Sequence, residues 1–351
     1  MIQDLRLQHF RSYTDESFEF SPAVNIIVGP NASGKTNLLE AVLVLARGGS
    51  YRAKDADLVE FGAPWARLDA LVDDTPRVVK LITEPLPRKT YEIDGKVYSR
   101  LTAHNTLPAV LFEPNHLSLL TGSPEQRRNF MDDLLEQTVP GYGTLRRTYK
   151  RTLAQRNSLL KKGQMVAQQQ VFAWDIRLSE QAGKIVRARA ALIEQLDRRV
   201  GPLYQTLSHS TTEVNLRYGC SLPLDDYESR LVKNLESRLE LDVLRGYTSL
   251  GPHRDDMLVE FDEHPASETA SRGESRTLVL ALKILELELI QQAREQTPIL
   301  LLDDVFSELD GARRRALTSY LENYQTFITT TDADVVIKHF TEMARIIPLV
   351  R

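Results

Sequence analysis

The chain holds a single cysteine, Cys220, among 351 residues. An intrachain disulfide is therefore impossible, and a reducing compartment is the natural home. Long apolar runs are missing as well, since none approaches the roughly 20 residues needed to span a bilayer. The opening MIQDLRLQHF alternates apolar and polar residues like a strand and lacks the basic-then-apolar layout of a signal peptide. Together these absences predict a soluble, cytoplasmic protein with no membrane partner. A charge excess is lacking too, the net charge being −4. That excludes little, because nucleic-acid binders can be acidic overall and basic locally. No internal repeat is found, so a repeat array is excluded.

What is present is ordinary for a globular chain: 42% hydrophobic and 26% charged residues, values that argue against disorder. The length suggests two domains or one with a large insertion, and it allows a substantial core. Residues 1–46 read strand, strand, turn, helix. Residues 50–112 carry short alternating runs between proline and Asp-Gly turns, which predicts an antiparallel patch, with Asp94-Gly95 at a tight hairpin. From about Ser123 the period becomes helical, through Leu145, Tyr149, Leu153 and Leu160, then Leu178, Ala182, Ile185, Leu192 and Leu196. The polar KKGQMVAQQQ between those two runs is expected to connect a helical pair. Beyond Pro202 the character is mixed. The continuous apolar run PILLLDD reads as a buried parallel strand, followed by an amphipathic helix near 311–323 and a last strand, TFITTT.

The strongest single pattern is GPNASGKT, residues Gly29, Pro30, Asn31, Ala32, Ser33, Gly34, Lys35 and Thr36. It fits the phosphate-binding loop and stands where that loop must stand, between the strand VNIIV and an apolar helix. Glycines let the backbone curl around phosphate, and the N–H groups at a helix N-terminus favour an anion. Lys35 would reach the β- and γ-phosphates of ATP, and the Thr36 hydroxyl would bind Mg²⁺. Asp303, at the end of PILLLDD, is expected to hold Mg²⁺ through water, and Asp304 to orient or deprotonate the attacking water. The plain alternative is a strand that ends in solvent. In TASRGESRTLVLALKILELEL, Ser271 and Glu274 form a capping box that satisfies orphaned N–H groups at the start of a long helix. A helix cap and a phosphate ligand are compatible, and Gly273 would permit close approach.

A phosphate loop, an acidic strand end and a Ser-x-Gly-Glu helix start together resemble the ATP-binding cassette ATPases. In that superfamily the Ser-x-Gly tip of one subunit meets the γ-phosphate held by a second subunit. The resemblance therefore implies an ATP-dependent homodimer with Ser271, Gly273 and Glu274 at the nucleotide of the partner. It also implies a D-loop at SELD, with Asp310 near the interface. Thr331 stands about where many members have a switch histidine, and Arg11 lies where relatives place a basic residue near the nucleotide. The absent histidine, and Asp304 where a glutamate is usual, predict slow hydrolysis. An aspartate is shorter by one C–C bond, roughly 1.5 Å. Such an ATPase acts as a timer rather than a motor.

About 235 residues separate Thr36 from Ser271, which is the layout of the chromosome-maintenance and repair branch rather than of transporter subunits. LRLQHFRSY, GSPEQRRNFMDDLL, GPHRDD and LLLDDVFSELD narrow it further and closely resemble the RecF family of bacterial recombination mediators over essentially the whole chain. The implied fold is α/β: a two-lobed ATP-binding cassette (P-loop) ATPase head with a helical insertion lobe and an antiparallel β patch. The expected parts are 1–122, 123–245 (the helical lobe) and 246–351. The implied role is DNA replication, DNA repair and the SOS response to DNA damage, with ATP and Mg²⁺ as cofactors and with DNA, RecR and RecO as partners. Residues 141–199 carry 13 Lys/Arg against four acidic residues. The DNA contact is expected at Arg146, Arg147, Lys150, Arg151, Lys161 and Lys162, largely without sequence preference. Aromatic stacking platforms are not evident there, which favours duplex or junction backbone over stacked single strands. Two rivals remain, a transporter ATPase subunit and a scaffold that binds nucleotide without turnover.

Overall fold

In the computed structural model the described residues are 1–162, 168–321, 323–332 and 344–349. The chain divides into two compact units, Met1–Leu117 with Glu286–Arg351, and Ser118–Leu285. The middle of the expected helix connection, residues 163–167, lies outside the described residues, as do the side chains of Ser307 and Glu308 in the expected D-loop.

The first unit is built on two sheets. Five parallel strands lie in the order Ala344–Pro348, Val24–Val28, Thr326–Thr330, Ile299–Asp303 and Ala109–Phe112. The central ones are buried on both faces, because a parallel sheet is covered on both sides; Ile299–Asp303 and Thr326–Thr330 are buried at every position. Six antiparallel strands form the second sheet, in the order Tyr13–Glu19, Ile2–Phe10, Trp65–Val72, Thr75–Ile82, Arg88–Ile93 and Lys96–Tyr98. Here burial alternates residue by residue, as along Trp65–Val72, the mark of a sheet with one face in solvent. Asp94 (φ 51°) and Gly95 (φ 73°) make the hairpin between paired Ile93 and Lys96, and two positive φ angles in succession are what a two-residue turn of this hand demands.

The helix Lys35–Arg47 is buried along almost its whole length, and its residues share one core with both sheets: Leu5, Leu7 and Leu68 from the antiparallel one, Ile27, Leu301 and Phe327 from the parallel one. Each fully buried leucine contributes about 1.5–3 kcal/mol. That packing fixes the helix start, and with it the loop Gly29–Gly34, relative to the strand ends.

The second unit holds the helices Pro124–Thr138, Tyr142–Leu160, Gln168–Ser208, Tyr227–Ser237 and Leu239–Arg245. A small antiparallel sheet joins Val214–Gly219, Asp256–Phe261 and His264–Pro265. The helix Gln168–Ser208 runs on through Pro202, and it buries Leu178, Ala182, Ile185, Leu192 and Leu196 at helical spacing. The expected division at 245/246 differs from the compact one. Residues 246–285 group with the helices because Arg189 donates to Pro252 O at 2.6 Å and the Tyr204 and Phe261 rings lie 5.3 Å apart. The long helix Arg272–Arg294 begins in this unit, and the division falls within it.

Candidate nucleotide site and basic helical face

Backbone geometry at the loop leaves little room for side chains. A Cβ on Gly29 would lie 2.5 Å from Ser33 Oγ and 2.7 Å from Leu349 O, and one on Gly34 (φ 101°) would lie 2.9 Å from the Tyr13 hydroxyl. That hydroxyl donates to Gly34 O at 3.0 Å and pins the turn from below. Gly34 caps the helix without a side-chain bond, so the first-turn N–H groups are left for a ligand. Lys35 is buried and bends over the loop, donating to Gly29 O at 2.8 Å and Pro30 O at 2.9 Å. The Ser33 hydroxyl is buried and has no hydrogen-bond partner. An orphaned hydroxyl, free helix N–H groups and a folded-back lysine suit a polyphosphate.

The register of the parallel sheet brings the acidic strand end to the same place. Asp303 pairs with Thr329 across the strands. Its Oδ1 accepts from Thr36 Oγ1 at 3.1 Å and from Thr329 Oγ1 at 2.8 Å, while Oδ2 accepts weakly from the Tyr51 hydroxyl at 3.4 Å. Burial, and then the charge of Asp303, push the Tyr51 phenol well above its ordinary pKa, so it stays a donor. Thr36 and Asp303 are hard oxygen donors, the set Mg²⁺ takes when phosphates and water complete its shell. Asp304 follows in a left-handed conformation (φ 55°), half-buried, with its N–H on Thr329 Oγ1 at 2.9 Å.

Other predicted residues lie differently. Arg11 forms a bidentate pair with Glu40, at 2.8 and 2.9 Å, and donates to Asp57 O at 2.8 Å. Glu40 is wholly buried on the P-loop helix and also accepts from Arg52 at 2.9 Å. Burial resists its ionisation, yet the bonds from Arg11, Arg52 and Ser50 outweigh it and hold the carboxyl below its usual range. Arg11 thus braces the helix behind the loop. Asp310 accepts from the Arg313 N–H at 3.0 Å and caps the helix Gly311–Leu321; that bond first, then the Arg313 charge, lowers its pKa. Thr331 is exposed just past the strand Thr326–Thr330. Ser271 and Glu274 form the expected capping box, with Ser271 N donating to Glu274 Oε2 at 2.8 Å and Glu274 N to Ser271 Oγ at 3.2 Å. Gly273 O accepts from Thr277 Oγ1 at 3.0 Å one turn on.

Within the second unit the predicted basic set separates into two groups. Arg147, Lys150, Arg151, Lys161 and Lys162 are exposed; the first three share one face of the helix Tyr142–Leu160 at i, i+3 and i+4, and Lys161 and Lys162 follow its C-terminal end. Arg146 does not join them: its Nη1 donates to Asp133 at 2.9 Å and Glu136 at 3.0 Å. Arg156 and Arg189 are buried in ion pairs with Asp175, Asp242 and Asp132.

The loop GPHRDD, for which the sequence alone offers no role, proves to be an anchor. His253 is half-buried between the Tyr149 hydroxyl, 2.7 Å from Nδ1, and Thr248 O, 3.0 Å from Nε2. Burial brings its pKa down to about 4, so the ring is neutral, accepting at Nδ1 and donating at Nε2. Arg254 covers the Tyr247 ring at 4.9 Å. The arginines of GSPEQRR grip the same loop: Arg127 pairs with Asp256 at 2.7 and 2.8 Å, and Arg128 donates to Asp255 O at 2.8 Å.

The family model for the RecF/RecN/SMC N terminal domain matches residues 1–348. The DNA replication and repair protein RecF of Heliobacterium modesticaldum is 38% identical over 343 residues, 94% of this chain and 92% of that one. This chain belongs to the RecF family. A RecF of Streptococcus thermophilus is 34% identical, over 95% of this chain and 93% of its own length. Among solved structures, the recombination mediator RecF with ATP, in the RecFOR pathway, superposes with a TM-score of 0.84 at 28% identity, over 94% of this chain and 92% of that one. An Smc head domain bound to the C-winged helix domain of ScpA gives 0.53 at 16% identity, over 96% and 92%, which shows that RecF and Smc heads share this fold. The α/β ATP-binding cassette head expected from the motifs is the fold observed. Among the described residues no helix is long and apolar enough to cross a membrane.

Proposed function

We propose that this RecF-family chain is an ATP-dependent DNA-binding protein of recombinational repair and replication restart, and that ATP with Mg²⁺ joins two copies into a dimer. The observation that carries the nucleotide reading is the meeting of Thr36 with Asp303 at 3.1 Å, beside a loop whose Ser33 hydroxyl is orphaned. Gly29, Pro30, Asn31, Ala32, Ser33, Gly34, Lys35 and Thr36 wrap the phosphates. Lys35 leaves the Gly29 and Pro30 carbonyls for the phosphate oxygens, and Thr36 and Asp303 hold Mg²⁺, which supplies charge neutralisation at the phosphates. Asp304 orients the attacking water. The capping box stands at the start of the helix Arg272–Arg294, where Ser271 and Gly273 close on the γ-phosphate of the partner; Asp310 and Thr331 contribute to nucleotide binding as well. ATP acts by binding the closed dimer better than the open monomer, a population shift. Slow, DNA-stimulated hydrolysis then releases the DNA.

The exposed set of Arg147, Lys150, Arg151, Lys161 and Lys162 takes duplex or gapped DNA through its phosphates. The solved RecF structures belong to a RecFOR pathway. RecO and RecR are therefore the partners with which this chain helps to load recombinase on single-stranded gaps, in the cytoplasm and in connection with the SOS response. Sedimentation velocity tests the dimer. The wild-type chain is expected to shift from monomer to dimer with ATP–Mg²⁺ and not with ADP–Mg²⁺, and Ser271→Arg to stay monomeric. A Ser271→Arg protein that dimerises as wild type removes the trans contact from the account.

A further inference from the structure

We infer that Thr329 is a positioning residue for the metal and water sites, a role no motif assigns to it. This rests on the proposed ATP–Mg²⁺ reading of the same cluster. Thr329 is buried in the strand Thr326–Thr330, directly beside Asp303 in the parallel register. Its single hydroxyl touches both acidic residues at once. It donates to Asp303 Oδ1 at 2.8 Å, a far better acceptor than Leu302 O at 3.5 Å, and it accepts from the backbone N–H of Asp304 at 2.9 Å.

The two bonds do different things. The first orients the Asp303 carboxylate and leaves Oδ1 facing Thr36, whose hydroxyl lies 3.1 Å away. A carboxylate held from behind in this way presents fixed lone pairs to a cation, and partners of this kind tune metal affinity. The second bond holds Asp304 where the chain turns into a left-handed conformation (φ 55°) that a non-glycine residue seldom adopts. Without an acceptor at that N–H, the strand end has less to keep it in this turn, and the direction of the Asp304 side chain follows the turn. One hydroxyl therefore sets the metal-holding and the water-orienting carboxylates in a common frame. The strand register supplies this arrangement, since Thr329 lies 26 residues from Asp303 in the chain.

Thr329→Val keeps the branched shape that suits a buried strand and removes the hydroxyl; Thr329→Ser keeps the hydroxyl and loses a methyl group. The readout is the Mg²⁺ concentration that gives half-maximal binding of a fluorescent ATP analogue to the full chain, without turnover. Thr329→Val is expected to raise it by about 10-fold or more, and Thr329→Ser to return it to the wild-type value. If Thr329→Val fails to fold, Thr329→Ala against Thr329→Ser gives the same comparison. A folded Thr329→Val protein with the wild-type Mg²⁺ midpoint overturns the role of Thr329 and leaves the nucleotide reading standing. Should the wild-type chain bind the analogue with no dependence on Mg²⁺, the role of Thr329 and the Mg²⁺ site fall while the phosphate loop stands; should it bind no analogue at all, the nucleotide reading falls too.

Discussion

Arg156→Met removes a cation that three buried groups of the second unit share. The guanidinium is wholly buried and reaches Asp175 Oδ1 at 2.5 Å, Asp242 Oδ2 at 2.9 Å and Thr248 Oγ1 at 2.9 Å. These contacts tie the helix Tyr142–Leu160 to Gln168–Ser208 and Leu239–Arg245. Deleting one partner of a buried ion pair costs about 3–5 kcal/mol, because the surviving charge is left uncompensated. Two carboxylates survive here, but one can discard its charge. Burial already raises the pKa of Asp175 above its ordinary value, and Arg156 pulls it back. Loss of Arg156 lets it rise further, so protonation caps the expected penalty at about 5 kcal/mol, against a typical domain stability of about 5–15 kcal/mol. The pH dependence has a definite sign. A carboxyl whose folded pKa lies above its unfolded value takes up a proton on folding, so the variant gains on wild type as pH falls through the raised folded value of Asp175. Urea unfolding followed by Trp174, beside Asp175, in a Trp65→Phe background reports this unit alone. Replacing the whole cluster, as Arg156→Met with Asp175→Leu and Asp242→Leu, should recover much of the loss. A penalty under about 1 kcal/mol, or a gap that does not narrow in acid, refutes the reasoning.

Glu40→Gln strips the charge that Arg11 and Arg52 share and should cost about 2–3 kcal/mol at neutral pH. Because the folded pKa of Glu40 is depressed, its contribution is present above the ordinary carboxylate range and lost as pH falls through the folded value. Thermal unfolding of wild type and variant should therefore converge as pH falls below the folded value of Glu40. His253 has a folded pKa lowered from 6.5 to about 4, so the unfolded chain takes up its proton first on acidification. Wild type should lose stability across that interval, and His253→Gln should flatten the limb; identical limbs would detach the His253 ring from the pH response. Lys150→Ala with Arg151→Ala should lower the slope of log affinity against log salt for duplex DNA by about 2. Arg146→Ala should leave that slope alone and lower thermal stability instead, since Arg146 is held by Asp133 and Glu136.

What could be read from the sequence was what local rules decide. The loop Gly29–Thr36 is one strand–turn–helix unit, and its glycines sit where a Cβ would press on Ser33 and Leu349 O or on the Tyr13 hydroxyl. The box of Ser271 and Glu274 closes within one helical turn. What stayed hidden depends on chain-distant pairing. Thr331 stands at a motif position, while Thr329, two residues earlier, holds Asp303 because parallel register sets them side by side. The basic excess of residues 141–199 was real, but a window of sequence does not show acidic residues arriving from outside it. Asp132, Asp133, Glu136 and Asp242 take up Arg189, Arg146 and Arg156, and an exposed set remains. GPHRDD and GSPEQRR looked like separate signatures, yet Arg127 and Arg128 of one hold Asp256 and Asp255 of the other.

Fluorescence anisotropy of a labelled gapped duplex, titrated with this chain in ATP–Mg²⁺, ADP–Mg²⁺ or no nucleotide and at two salt concentrations, tests the central claim most directly. Tight binding is expected with ATP–Mg²⁺ alone, weakening steeply as salt rises. Binding of equal strength in all three nucleotide states would contradict that claim, because the phosphate loop and the basic helical face would then act independently.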